Sequence, residues 1–326
     1  MRLNKLKKVQ KSIIIIAVLI DLFVVVWAYK NPIIGFEYNI YKSIPTTIWA
    51  SLILTNFIGY FILLYESYSN KIDRRNYWIC GLIIVIITRL IILNISFIRG
   101  YYAYEGDHIS HMMSIQDFVN ANKSIGGDYY IFSYVISFIL LRILKLDIGF
   151  TNYISSIYSV FFIMSYYLVS KEIFNDKRMQ VASLGLVGST LLPIYGRTHF
   201  IRYEGRITPG GWSYLFMPFC IYLYLKQKNS KQISLPLIII LIIMPTFHPL
   251  TAAILLYIYT ILNSHNKNNN TTSTIDYNII FGGLVLAFWI LSQGYLISII
   301  PKMIVFLQSA SNTGGILFLE RALDSM

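Results

Sequence analysis

The sequence predicts an all-α, polytopic membrane protein with about nine transmembrane helices and interfacial helices in its first large outer loop. Three observations carry that prediction. Hydrophobic residues make up 56% of the 326 residues and charged residues only 13%, where soluble domains run near ~25% charged. The apolar runs are many and long, as bilayer-spanning helices require. The alternation of period two that marks an outer-membrane barrel is absent.

The elements follow in chain order. Apolar spans are expected at 13–29, 47–65, 77–98, 150–170, 179–195, 212–226, 234–247, 249–262 and 278–299. The first is preceded by Arg2, Lys5, Lys7, Lys8 and Lys11 and followed by no small-x-small cleavage site. It therefore reads as a retained span with a cytoplasmic N-terminus in the cell membrane. The stretch 234–262 is interrupted by Pro245-Thr246-Phe247-His248-Pro249. Proline removes a backbone donor and clashes with the preceding turn, so a tight hairpin of two short spans is expected there, with one kinked helix as the alternative. Residues 129–146 are harder to place. The uncharged run from Tyr129 to Leu141 is short of the ~20 residues a span needs, which favours a helix lying flat. Lys and Arg counts on the two sides do not choose between lying flat and crossing. With the flat reading, loops 98–149, 196–211 and 300–326 face outside, and 66–76, 171–178, 226–233 and 263–277 face the cytoplasm. The domain reading is 1–76 as preceding spans, 77–299 as a transmembrane module and 300–326 as an outer C-terminal segment.

The net charge of +12 sits mostly between apolar runs, where it sets topology and meets anionic headgroups of membrane lipids. No nucleic-acid partner is expected. Cys80 and Cys220 each lie inside an apolar run and form no disulfide or zinc framework. Walker A, GxGxxG, HExxH and GxSxG motifs are absent, which speaks against nucleotide-driven transport and soluble nucleotide-sugar chemistry.

Ionisable residues gather in two outer loops. The first contains Glu105-Gly106-Asp107-His108 and His111. Asp107 is placed to cap a following helix, and His108 and His111 share a face of it. A carboxylate here can act as a general base or meet a metal; an N-cap Asp with interfacial histidines is the plainer alternative. The second loop places Arg197, Arg202 and Arg206 around Glu204. Guanidinium forks suit phosphate oxygens, although a solvated Arg–Glu pair would leave the same pattern. His248 stands at the tip of the expected hairpin and within reach of the same cavity. Asp21 and Arg89 lie inside spans, where ionisable groups are costly, and a pairing between them is one expectation.

These loops resemble those of the membrane-embedded glycosyltransferases of the GT-C superfamily, which includes oligosaccharyltransferases, protein mannosyltransferases and aminoarabinose transferases. The resemblance covers most of 77–299. In that superfamily a span leads into an outer loop with an acidic motif, here Glu105-Gly106-Asp107. Two surface-lying helices follow, here 107–121 and 129–146, and then a span ending at a short cytoplasmic loop, here 170–178. A second outer loop then carries an acidic residue near arginines, here Tyr203-Glu204-Gly205-Arg206. The chain departs in having two preceding spans, a lone Glu204 in place of a paired acidic motif, and no soluble C-terminal domain. It therefore reads as truncated or short for that superfamily.

What the resemblance implies is an inverting transferase using a polyprenyl-phosphate or polyprenyl-pyrophosphate sugar, with a protein, lipid or glycan acceptor. Arg202 and Arg206 would hold the phosphate and Asp107 would take the acceptor proton. Glu105, Glu204, His108, His111 and His248 would position sugar and acceptor. If a divalent metal ion is used, Asp107 and Glu204 are the expected ligands, with histidine assistance pointing to a softer ion such as zinc. Two rivals come from other classes. An O-antigen-type polymerase or ligase would centre on arginines and a histidine and would keep activity without Asp107. A lipid or solute transporter would show repeated halves and broken helices; the Pro245–Pro249 break is one such feature, without a second copy.

Overall fold

A computed structural model describes residues 2–35, 43–68, 77–100, 107–120, 130–189, 209–230, 234–267 and 276–292. Among the described residues the fold is helical throughout, with no strand. The helices are α1 (Arg2–Lys30), α2 (Thr46–Ser67), α3 (Tyr77–Ile98), α4 (Asp107–Val119), α5 (Ile131–Leu144) and α6 (Thr151–Ile173). They continue with α7 (Lys177–Ser189), α8 (Pro209–Ser230), α9 (Leu235–Phe247), α10 (Pro249–Lys267) and α11 (Tyr277–Ser292). Three stretches are long and apolar enough to cross a membrane: 11–30 of α1, α2 and α3. Shorter apolar helices occur at Ile131–Leu144, Leu235–Phe247, Pro249–Ser264 and Tyr277–Ser292. The expected span 77–98 coincides with α3, and helices fall within the expected 107–121 and 129–146 as α4 and α5.

Side-chain pairings fix the direction of each helix. Asp21 lies against Thr88, and the Arg99 guanidinium stands 5.4 Å from the Trp27 ring, so α1 and α3 run parallel. Thr55 meets Thr88 and Gly59 meets Gly81, so α2 runs antiparallel to α3. A Cβ on Gly59 would stand 2.9 Å from the Gly81 carbonyl oxygen. Only glycine lets the two backbones approach this closely, as small residues do at helix crossings in membranes. Arg89 bonds Ser159, Asn94 accepts from Ser156 at 2.9 Å, and Phe97 packs on Tyr153 with centroids 5.9 Å apart. The falling numbers on one side against rising numbers on the other make α3 and α6 antiparallel. The end of α3 and the start of α6 therefore lie at the same end of the bundle.

The remaining helices keep the alternation. Tyr158 stacks on Trp212 and Phe161 on Phe216, so α6 and α8 run parallel. Ser213 meets Thr251, Tyr224 stacks on Tyr259 and Lys228 meets Asn263, so α8 and α10 run parallel. The break at 245–249 is a hairpin. His248 leaves the helical region (φ −163°, ψ 111°) and is the one residue joining α9 to α10. A Cβ on Gly282 of α11 would meet both Leu241 and Leu256. Those leucines sit about equally far before and after His248, as folding back requires.

The Asp21–Arg89 pairing is not formed. Asp21 is 2% exposed and its Oδ2 lies 2.9 Å from Thr88 Oγ1, while Arg89 turns to Ser159 on α6. Successive residues of a helix point about 100° apart, so Thr88 and Arg89 face different neighbours.

Candidate functional site

The site lies at the end of the bundle shared by the start of α6, the start of α8 and the α9–α10 turn. It is roofed by the pair α4–α5. His111 Nδ1 is 2.8 Å from the Tyr134 hydroxyl, Phe118 packs edge-on against Phe138, and Arg142 donates to the Val119 carbonyl at 2.9 Å. The numbers rise together with an offset near 23 in the first and last pairs, so α4 and α5 run side by side in the same direction. Their apolar faces turn to the bundle. Ile115 is fully buried, and Phe132 packs edge-on against Phe247 with centroids 5.3 Å apart. Lys145 closes α5 in the left-handed region (φ 50°), its N–H donating to the Leu141 carbonyl. Asp147 Oδ1 then accepts from Gly149 N–H at 2.9 Å and turns the chain into α6.

Tyr130, just ahead of α5, joins the two histidines. The His248 ring stacks on it with centroids 5.7 Å apart and planes at 9°, and the His111 ring meets it at 5.7 Å and 78°. Beneath them Trp212 is fully buried and Tyr158 stacks on it at 5.2 Å.

His248 is held by its own helix. It is the N-cap of α10, with Pro249 at N1, where a missing N–H costs nothing. The Thr251 N–H donates to His248 Nδ1 at 3.3 Å, and Thr251 Oγ1 lies 3.0 Å from the same nitrogen. A backbone N–H only donates, so Nδ1 carries the lone pair and the proton of the neutral ring is on Nε2. Burial pushes the imidazole below its ordinary pKa, because a cation is costly to desolvate. Ser213 Oγ, 2.8 Å from both Thr251 Oγ1 and the Gly210 carbonyl, ties this turn to the first turn of α8. A Cβ on Gly210 would stand 3.2 Å from His248 Nε2. Glycine at 210 thus leaves the Nε2–H side of the ring open toward the start of α8.

No family model, no curated protein and no solved structure matches this chain.

Of the residues singled out from sequence, His111 and His248 come together through Tyr130. Asp107 and His108 form the first turn of α4, one helical turn before His111; their side chains lie outside what is described. Glu105, Arg197, Arg202, Glu204 and Arg206 also lie outside the described residues. Tyr130, Tyr134, Ser213 and Thr251 escaped the sequence reading. The chain has 26 tyrosines, so Tyr130 and Tyr134 gave no signal. Thr251 had one, its place three residues after a helix-starting His-Pro. Among the described residues no group of three or more His, Cys, Asp or Glu is placed to hold a metal ion. The Nδ1 atoms of His111 and His248 are already engaged.

Proposed function

We propose that this protein is a membrane-embedded glycosyltransferase that moves a sugar from a polyprenyl-phosphate or polyprenyl-pyrophosphate donor to an acceptor at the outer membrane face. One observation supports this reading above others. The helix that opens with Asp107, the turn that carries His248, and the helix that begins three residues after Arg206 converge at one end of the bundle. A transfer between a lipid-linked donor and an acceptor needs such convergence. A base for the acceptor, cations for the leaving phosphate and donors for the sugar must surround one carbon atom.

In the proposed reaction the acceptor hydroxyl oxygen attacks the anomeric carbon. Its proton passes to the Asp107 carboxylate as the bond to the phosphate oxygen breaks on the opposite face. Arg202 and Arg206 take up the charge that develops on the departing phosphate. Neutral His248 donates from Nε2 to a sugar or phosphate oxygen, and Glu105, Glu204, His108, His111 and Arg197 orient the two substrates. The antiparallel pairing of α3 with α6 supports placing both loops on one side, with α4 and α5 lying flat at the interface in an arrangement of about nine spans.

The test is transfer in proteoliposomes supplied with synthetic polyprenyl-phosphate and polyprenyl-pyrophosphate sugars, read as released polyprenyl carrier and glycosylated acceptor. Asp107→Asn is expected to abolish transfer while expression and melting stay unchanged. Full activity in that variant rules out the base role.

A further inference from the structure

Asp21 lies midway along the 11–30 stretch of α1 and takes no part in the proposed transfer. It is 2% exposed, packed where α1 meets α2 and α3. Its Oδ2 is 2.9 Å from Thr88 Oγ1, and its Oδ1 has no hydrogen-bond partner among the described residues. Thr88 Oγ1 is also 2.9 Å from the Ile84 carbonyl and 3.3 Å from Thr55 Oγ1. Thr55 Oγ1 in turn is 3.0 Å from the Leu52 carbonyl.

The hydrogens in this network can be counted. The Ile84, Leu52 and Ser51 carbonyls, the last 3.2 Å from Thr55 Oγ1, only accept, and each threonine brings one hydrogen. If Asp21 is a carboxylic acid, its Oδ2–H donates to Thr88 Oγ1, the Thr88 hydroxyl donates to the Ile84 carbonyl, and the Thr55 hydroxyl to the Leu52 carbonyl. Every hydroxyl hydrogen then ends on an oxygen, and the remaining Oδ1 is an uncharged carbonyl. If Asp21 is a carboxylate, the Thr88 and Thr55 hydroxyls can donate to it, but Oδ1 stays bare and a full negative charge stands in mid-span. Burying an unpaired charge is far more costly than burying an unpaired carbonyl.

Among the described residues no cation forms an ion pair with it. The Arg89 side chain, on the next residue of α3, bonds Ser159 of α6. On the packed elements the other charged residues nearest to Asp21, Thr55 and Thr88 are Lys11, Lys30, Glu66 and Arg99. Each is nine or more residues away along its helix, about 13 Å at 1.5 Å per residue. The titratable Tyr60 is more than a turn beyond Thr55.

We propose that Asp21 is a proton-binding site within the membrane, a carboxylic acid that keeps its proton at neutral pH and clasps α1 to α3 by donating to Thr88. The proton comes from water and neutralises the group as α1 packs. The probe is infrared spectroscopy of the full chain in lipid nanodiscs at neutral pH. Wild type is expected to show the carbonyl stretch of a protonated carboxyl, which shifts on labelling with 13C-aspartate and is lost in Asp21→Asn. Superimposable spectra of wild type and Asp21→Asn in that region overturn the proposal. So does a carboxylate band of Asp21 that changes when sodium replaces a bulky organic cation, because the occupant is then a metal cation. Should Asp21→Asn fail to fold, Thr88→Val removes the acceptor of the acid proton. The protonated-carboxyl band must then move, and an unmoved band overturns the proposal equally.

Discussion

Replacing His248 separates its two jobs. The ring accepts from the Thr251 N–H as the cap of α10 and stacks on Tyr130. His248→Ala loses both. Loss of a side-chain N-cap costs about 1 kcal/mol, and loss of a stacked aromatic pair adds about 1 kcal/mol. The expected destabilisation is therefore about 2 kcal/mol, read as a lowered midpoint in thermal or denaturant unfolding of the reconstituted protein. His248→Asn behaves differently. An asparagine oxygen is among the best N-caps, so about half of that loss should return. The Nε2–H donor does not return, because the shorter amide cannot reach the place where the imidazole edge meets the start of α8. Asn is thus expected to recover stability and leave sugar transfer deficient. If Asn restores transfer to the wild-type rate, His248 is only a cap and its part in the site is refuted. If Ala leaves the unfolding midpoint unchanged, the capping geometry itself is refuted.

Other expectations follow from the same contacts. Gly210→Ala places a methyl 3.2 Å from His248 Nε2; it should impair transfer with only a small loss of stability, and normal transfer would show that this edge of the ring is not used. Gly59→Val sets side-chain atoms against the Gly81 carbonyl and Val85, so overpacking of about 1–3 kcal/mol is expected, measured as reduced stability of the purified protein. Burial holds His248 below its ordinary value of 6.5, so the unfolded chain binds the extra proton first. Stability should therefore fall as pH drops below 6.5, and His248→Asn should flatten that slope in a pH series of unfolding midpoints. Single cysteines at Asn120 and Gly106 should label from the same side, and a cysteine at Asn175 from the opposite side. Labelling of Asn120 and Asn175 together would refute the return of the chain between α3 and α6.

The helices were legible where lipid dictates the answer. A segment such as 77–98 must satisfy its backbone internally and needs about 20 apolar residues, so its limits could be read directly. The turn at 245–249 was legible because Pro245 and Pro249 forbid a continuous ladder. The fate of 129–146 was not, because charge counting gave the same balance either way. Contacts far apart in sequence, Arg89 with Ser159, Asn94 with Ser156 and Phe97 with Tyr153, bring the end of α3 and the start of α6 to one end of the bundle, which no local pattern shows. The parallel pairing of α4 with α5 and the junction at Tyr130 were hidden for the same reason. Among many tyrosines nothing local distinguishes the one that stacks on His248. The expected Asp21–Arg89 pair failed because inclusion in neighbouring spans says nothing of the direction in which each side chain leaves its helix.

Helix length bears on where the site sits. The 13 residues of α9 rise about 20 Å and the 22 residues of α3 about 33 Å at 1.5 Å per residue. Both run toward the same end of the bundle; Phe247 packs on Tyr158, five residues into α6 beyond the Tyr153 that meets Phe97 at the end of α3, so the hairpin turns back about 7 Å below that end. His248 would then lie in a recess floored by Trp212 and Tyr158 and roofed by α4 and α5. Such a depth disfavours a substrate free in water, which would have to shed its shell to descend. The donor proposed above, a phosphate tethered to a polyprenyl chain, would lie at the headgroup level and enter from the side. The short hairpin and the α4–α5 pair packed over it would thus be two parts of the proposed site, and shortening or lengthening α9 by a full turn should disrupt transfer without disrupting membrane insertion.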